Sequence, residues 1–259
     1  MTMSARSATV TRAAEVETVS TFDRRRRKAR VPVPKFLLAC GVAYSLSYVI
    51  ANDVVAATWY DGYNRVDQAI SELSAKGASP RPFLVAMLPA WTALMIAFGI
   101  GVWKSAYGRQ GLRVAGALLA THGVVAVSWL WFPMTARADM VGRGTGPNDA
   151  GHLVLTALTL MFILSELGFA AASLGRRFRL YSLVTAVFVL AFGALVGAQS
   201  PNLQDGKPTS WMGLFERICV GGWLLWMVVL AITLMRARDH ETCVHTRPPA
   251  RAEHLVGAD

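Results

Sequence analysis

Six apolar runs constrain the fold of this chain more than any other feature of its sequence. They lie near residues 36–57, 83–103, 114–133, 152–174, 180–199 and 213–235, and each is long enough to cross a bilayer core of about 30 Å as a helix. Only 16% of the residues are charged, against roughly 25% in a soluble domain. The sequence therefore predicts an all-α, polytopic transmembrane bundle of six helices and not a soluble domain.

The basic residues between the runs predict how the bundle is oriented. The connections between runs two and three and between runs four and five are short and basic, and basic residues also follow run six. The other three connections mix acidic and basic residues. By the positive-inside rule, we expect a multi-pass protein of the cytoplasmic membrane with both termini in the cytoplasm. The basic residues concerned are Lys104, Arg109, Arg113, Arg176, Arg177, Arg179, Arg236 and Arg238.

The first run has an alternative interpretation as a cleaved signal peptide. A basic segment precedes it, and Val55, Ala56 and Ala57 provide the small residues of a cleavage site. However, the run is long for a signal core, and its removal would leave five spans that break the charge pattern. We therefore expect run one to remain as a membrane-spanning helix.

The two ends of the chain are polar, and we expect residues 1–35 and 237–259 to be disordered cytoplasmic tails around a transmembrane domain at 36–236. The net charge of +10 does not indicate nucleic-acid binding, because the basic residues form short clusters beside the apolar runs. The largest cluster holds the N-terminal tail in the cytoplasm and is placed to bind anionic lipid, at about 1 kcal/mol per basic residue. Its residues are Arg24, Arg25, Arg26, Arg27 and Lys28.

The connection between runs one and two, residues 64–82, is the longest polar interval between apolar runs. Val66, Ile70 and Leu73 are spaced as one stripe of a helix, while Glu72 points away from that stripe. Asn64 can cap the start of such a helix. We therefore predict a short amphipathic helix that lies on the membrane surface between the first two spans.

Polar and ionisable residues collect at the outer ends of the runs in this orientation. Ionisable groups at membrane depth are expensive, and they usually face the bundle interior or a wet cavity. The sequence therefore predicts an outward-opening polar pocket for a small polar or lipid-headgroup ligand. Alternatively, the same residues cap helix ends and anchor the interface. The predicted pocket residues are Glu72, Arg81, Asp149, His152, Glu216 and Arg217.

Asp149 and His152 also allow a metal-dependent alternative. They lie at i and i+3 on one helix face, and zinc would need a third protein ligand, for which Glu72, Glu216 and Asp53 are candidates. A metal-bound water could then attack a lipid substrate. Aspartate is equally at home as a helix cap and histidine at an interface, so the spacing alone is weak and no cofactor is predicted.

Two polar residues lie deeper, His122 in run three and Glu166 in run four. Their estimated depths differ by less than a helical turn, at about 1.5 Å of rise per residue. If these two helices are neighbours, the side chains can share a hydrogen bond or a proton. Such a pair is either a proton relay or a satisfied helix–helix contact.

Three motifs give the chain a resemblance to a known family. The chain resembles a family of unknown function, number nine hundred and ninety-eight in its series, whose members are six-helix bacterial integral membrane proteins. The resemblance covers residues 36–236 and implies a fold and a membrane location, but no activity. Members often carry an acid after the Phe-Pro pair, where this chain has Met134 and Thr135. The motifs are Ser71-Glu72-Leu73 with Gly77-Ala78 and Arg81, Phe132-Pro133-Met134, and the stretch from Gly213 to Ile218.

Three functions remain open from the sequence. The first is a binding or transport-type membrane protein that uses the outer pocket. The second is an intramembrane hydrolase or transferase that acts on lipid through a metal at Asp149 and His152. The third is a structural or accessory membrane subunit, for which the polar outer residues serve only to hold helix ends together.

Overall fold

The computed structural model describes residues 35–246. Within that range the chain forms helices, turns and loops, without any β-strand. The tail predicted at residues 1–35, with its basic cluster Arg24–Lys28, lies outside the described residues except for Lys35. Residues 247–259 of the predicted C-terminal tail lie outside them too.

Helices long and apolar enough to cross a membrane number six in residues 35–246, so the predicted all-α fold of six spans is confirmed. Helix α3 ends a few residues before the predicted end of run three at 133. Pro133 explains this end, because proline has no backbone N–H to continue a helix. The helices are α1 (Lys35–Trp59), α2 (Arg81–Lys104), α3 (Gln110–Leu130), α4 (Pro147–Ser173), α5 (Arg176–Gln204) and α6 (Met212–Thr246).

The helices form a closed ring in chain order. Each one packs against its neighbours in sequence, and α6 packs against α1. Short connections between such neighbours make them antiparallel. One end of the ring, here called the loop end, therefore carries the connections 60–80, 131–146 and 205–211. The opposite end, here called the terminal end, carries the start of α1 and the two shortest connections.

Glycines bring α2 and α3 into backbone contact. A Cβ atom at Gly99 would lie 2.6 Å from the carbonyl oxygen of Gly116, and one at Gly116 would lie 2.5 Å from the backbone nitrogen of Trp103. Neither position has room for a larger residue. Small residues of this kind let membrane helices approach closely, where lipid provides no hydrophobic drive for association.

The largest cluster of buried apolar residues in the described chain extends to the terminal end. On α6, the side chains of Trp226, Met227 and Leu230 are fully buried, and Phe98 of α2 and Leu112 of α3 are fully buried near them. The van der Waals contacts of such residues hold the bundle together. This half of the interior is therefore closed by apolar side chains.

The connection between α1 and α2 differs from the predicted amphipathic helix. Its only helical part in the described chain is one 3-10 helix, Ile70–Ser74. Asn64 does cap the local backbone, because its side-chain oxygen accepts hydrogen bonds from the amides of Val66 and Asp67. A longer helix does not form, because carboxylates bind the Ala69 and Ile70 amides that would otherwise bond within it.

Candidate ligand-binding site

The first contact at the loop end joins Glu72 to Arg137 of the one-turn helix Arg137–Met140. Arg137 donates from Nε and Nη2 to the two carboxylate oxygens of Glu72, over 2.9 and 2.7 Å. Glu72 is only 2% exposed and also accepts from the amide of Ala69 at 2.9 Å. The hydrogen bond to Glu72 raises the pKa of Arg137 above its usual value. The pair therefore fixes the α1–α2 connection through buried charge-assisted hydrogen bonds.

Arg217 fixes the same connection from the first turns of α6. Its Nε donates to Asp53 Oδ1 at 2.7 Å, and its Nη2 donates to the hydroxyl of Tyr63 at 2.9 Å. Its Nη1 donates to the carbonyl oxygens of Arg65, Gln68 and Gly213. Burial raises the pKa of Tyr63 above its usual value, although its hydrogen bond with Arg217 opposes the shift. Each of the three guanidinium nitrogens of Arg217 thus donates to protein.

The other three predicted pocket residues bind different segments. Arg81 donates to the carbonyl oxygens of Ser74 at 2.6 Å and Leu130 at 3.3 Å. Asp149 accepts from the backbone N–H and the hydroxyl of Thr135, at 2.9 and 2.8 Å. His152 Nδ1 donates to the carbonyl oxygen of Phe132 at 3.1 Å. The structure therefore brings Glu72, Glu216 and Arg217 to the α1–α2 connection and Arg81 to its end at Ser74, and it places Asp149 and His152 at the segment 132–135.

Asp149 and His152 lack a third ligand in the part of the chain that the structure describes. No three His, Cys, Asp or Glu side chains are grouped there so as to hold a metal ion. Each candidate third ligand has another partner: Asp53 binds Arg217, Glu72 binds Arg137, and Glu216 binds a backbone amide. The geometry of residues 35–246 therefore provides no support for the metal-dependent hydrolase.

Glu216 differs in its partners from Asp53, Glu72 and Glu166, each of which binds an arginine or a histidine. One carboxylate oxygen accepts from the amide of Ile70, but no Lys, Arg or His whose side chain is described, at residues 35–237, forms an ion pair with it. The side chain is half-buried. Trp223 lies seven residues along α6, so both side chains lie on one helix face, about 10 Å apart along the axis.

Glu166 and His122 meet in the bundle interior at the level of Trp223. His122 Nδ1 lies 3.0 Å from Glu166 Oε1, and Trp223 Nε1 donates to Glu166 Oε2 at 3.0 Å. Glu166 is 0% exposed, with both of its oxygens hydrogen-bonded. The sequence predicted that His122 and Glu166 would pair if α3 and α4 were neighbours. The two helices are neighbours, and the pair forms. Trp223, which binds Glu166, lies on the same face of α6 as Glu216. The Glu166–His122 pair therefore forms the deep end of an interior surface that begins at Glu216.

Two tyrosines that the sequence did not single out connect these two levels. Tyr44 and Tyr48 are stacked on α1 with ring centroids 6.1 Å apart, and Tyr44 lies 6.1 Å from Trp223. They lie on the side of α1 opposite the exposed Leu46 and Ile50, and are half-buried. Neither hydroxyl makes a hydrogen bond to any described residue. The only sequence signal was their i, i+4 spacing within an apolar run.

A π-helix follows directly after these tyrosines. It covers Ile50–Ala56 near the loop-end terminus of α1 and contains Asp53, the partner of Arg217. Asn52 donates from its side chain to the carbonyl oxygen of Tyr48 at 3.0 Å. Insertions of this kind occur mostly at functional sites, because the helix loses hydrogen-bond regularity where they form. The irregular turn therefore lies where the tyrosines approach the loop end.

The fold and these contacts define a class: a multi-pass integral membrane protein whose loop end is fixed by buried ion pairs. The chain matches the family described as protein of unknown function (DUF998) over residues 38–233, and it belongs to that family. This confirms the resemblance carried by the three sequence motifs. No curated protein and no solved structure is similar enough to match.

Proposed function

We propose that this protein binds or moves a small polar ligand, which reaches the bundle interior from the outer side and contacts Glu216. The observation that carries the proposal is which acidic side chains form an ion pair and which does not. Asp53, Glu72 and Glu166 each have a cationic or histidine partner, whereas Glu216 binds backbone amides and forms no ion pair with any described side chain. An ionisable group without an ion pair at membrane depth is a functional-site candidate.

Access from the outer side follows from charge and packing together. The two shortest connections carry Lys104, Arg109, Arg176 and Arg177, which favours the terminal end as the cytoplasmic one. The interior is closed toward that end by the apolar core. The loop end, which carries half-buried Glu216, is then on the outer side of the cytoplasmic membrane. Both termini are in the cytoplasm.

The remaining predicted pocket residues take supporting positions in this proposal. Glu72 and Arg217 hold the α1–α2 connection beside Glu216, because their hydrogen bonds fix the backbone between residues 65 and 72. Arg81 holds the end of the same connection, while Asp149 and His152 hold the segment 132–135. They shape the outer end, and Glu216 contacts the ligand.

Cysteine labelling from the two sides of the membrane tests the proposal. Val220 is half-buried and lies one turn inward of Glu216 on α6. It packs against the same two clusters of buried apolar residues as Tyr44 and Tyr48. In a background with Cys40, Cys219 and Cys243 replaced by alanine, Val220→Cys is expected to react in intact cells with a membrane-impermeant methanethiosulfonate. The thiolate is the reactive form, and it requires water.

Leu225→Cys is the matched control on the same helix. Leu225 is 58% exposed on the outside of the bundle, where lipid keeps a thiol protonated, so its labelling is expected to be at least about tenfold slower. The proposal fails if Val220→Cys reacts no faster than Leu225→Cys, or reacts only when the reagent reaches the cytoplasmic side. That result would favour a structural or accessory role.

A further inference from the structure

We infer that the ligand of this interior site is a small organic monocation, bound through an ammonium group between Glu216 and the rings of Tyr44 and Tyr48. The inference rests on the proposed function, because it names the ligand class for the same site. Three observations carry it: the balance of charges at the loop end, the aromatic rings between the two acids, and the lack of hydrogen-bond partners for the phenols.

Glu216 faces the interior without the ion pair that Asp53 and Glu72 have. Arg217 neutralises Asp53, and Arg137 neutralises Glu72. Every guanidinium nitrogen of these two arginines donates to one of these acids, to Tyr63 or Thr209, or to a backbone carbonyl. Arg65 and Asp67, further out on the connection, have opposite charges. A carboxylate without an ion pair at this depth favours a ligand with a positive charge and disfavours an anion.

The rings inward of Glu216 favour an organic cation over a metal ion. Tyr48 lies 5.3 Å from Trp91 and 6.1 Å from Tyr44, whose other neighbour is Trp223. Rings bind ammonium groups within about 6 Å of their centroids, whereas sodium, magnesium and calcium require shells of oxygen ligands. A single carboxylate beside aromatic rings does not supply such a shell. It does match an ammonium group with an apolar surface.

The phenol groups supply hydrogen-bond capacity that the described chain does not use. The Tyr44 and Tyr48 hydroxyls have no partner in residues 35–246, although a polar group in a membrane interior normally has one. Thr92 Oγ1 is the buried side-chain atom without a partner in that range, so both hydroxyls retain accessible surface. They can accept hydrogen bonds from an ammonium group, and Glu166 lies within electrostatic range of Tyr44 at the deep end.

Protection of Val220→Cys by defined probes tests the inference. Choline and ethylammonium each replace sodium at the same concentration in the outer buffer. They are expected to slow the labelling of Val220→Cys from the outer side. Their neutral counterparts, 3,3-dimethyl-1-butanol and ethanol, are expected to leave the rate unchanged. Glu216→Gln and Tyr48→Leu are each expected to weaken the protection about fivefold or more, as one lost charge or ring contact predicts. Tyr181 is a half-buried tyrosine of α5, so Tyr181→Leu is the matched control. It is expected to leave the protection by choline and ethylammonium unchanged.

The outcomes separate the two proposals. If Val220→Cys reacts from the outer side but neither ammonium probe protects it, the cation inference fails while the outward-open site stands. Equal protection by the neutral counterparts also overturns the inference, because charge then plays no part. If Val220→Cys does not react from the outer side at all, the proposed function fails first, and the cation inference fails with it.

Discussion

Replacing Arg137 with methionine is expected to destabilise the protein by about 3 kcal/mol, because it leaves the Glu72 carboxylate buried without its counter-charge. Glu72 is 2% exposed and receives two of its hydrogen bonds from Arg137. The Arg137 side chain is 30% exposed, which places the effect at the lower end of the range for a broken buried pair. Thermal unfolding of the purified protein in detergent should show a Tm lowered by roughly 10 °C.

Lys207→Met is the matched control for Arg137→Met. Lys207 pairs with Asp205 at the same 2.7 Å, but the two side chains are 64% and 53% exposed. An exposed pair contributes about 0–1 kcal/mol, so the Tm should barely change. The combined change Glu72→Met with Arg137→Met should recover part of the loss, because no buried charge remains. Equal melting of Arg137→Met and Lys207→Met would show that the buried pair does not stabilise the loop end.

Gly213→Ala is expected to destabilise the protein by about 2–3 kcal/mol, because α6 begins in contact with the α1–α2 connection. A Cβ at Gly213 would overlap the carbonyl oxygen of Gln68 and lie 2.5 Å from that of Arg65. Both are backbone atoms that Arg217 also binds, so they cannot move aside freely. The measurement is again the Tm in detergent, together with the fraction of protein that remains monodisperse.

Gly221→Ala is the control on the same helix. A Cβ at Gly221 meets nothing within 4 Å, and alanine is favoured over glycine in a helix by up to about 1 kcal/mol. Its Tm should therefore be unchanged or slightly raised. If Gly213→Ala melts at the same temperature as Gly221→Ala, the close contact between α6 and the connection does not contribute to stability.

The helices were predictable from sequence because membrane-spanning segments depend on local composition. A stretch of about twenty apolar residues satisfies its backbone hydrogen bonds internally, whatever its neighbours are. Even the end of α3 at Leu130 has a local cause in Pro133. The pairing of His122 with Glu166 was predictable only as a condition, because depth can be counted from the sequence but helix adjacency cannot.

The α1–α2 connection was not predictable, because residues far along the chain determine it. The stripe of Val66, Ile70 and Leu73 indicated a helix, and nothing local contradicts that interpretation. The structure instead uses Glu216, 146 residues away from Ile70, to bind a backbone amide, and Arg137, 65 residues from Glu72, to neutralise an acid. Such long-range hydrogen bonds replace the bonds of a regular helix.

The interior tyrosines were missed for a different reason. Within an apolar run, Tyr44 and Tyr48 have the spacing of ordinary packed residues, and aromatic residues are common in membrane helices. Their position opposite Leu46 and Ile50 becomes informative only once α6 is known to close the ring against α1. Glu216 was identified from sequence because an acid inside a span is unusual in itself.

Cysteine accessibility of two exposed positions at opposite ends of the bundle tests the orientation on which the outward-open site depends. Asp61 lies in the α1–α2 connection and Gln110 begins α3, and both are exposed. In the cysteine-free background, an impermeant maleimide is expected to label Asp61→Cys in intact cells and Gln110→Cys only after permeabilisation. Labelling of Gln110→Cys in intact cells, with Asp61→Cys protected until permeabilisation, would place Glu216 on the cytoplasmic side and contradict an outward-facing ligand site.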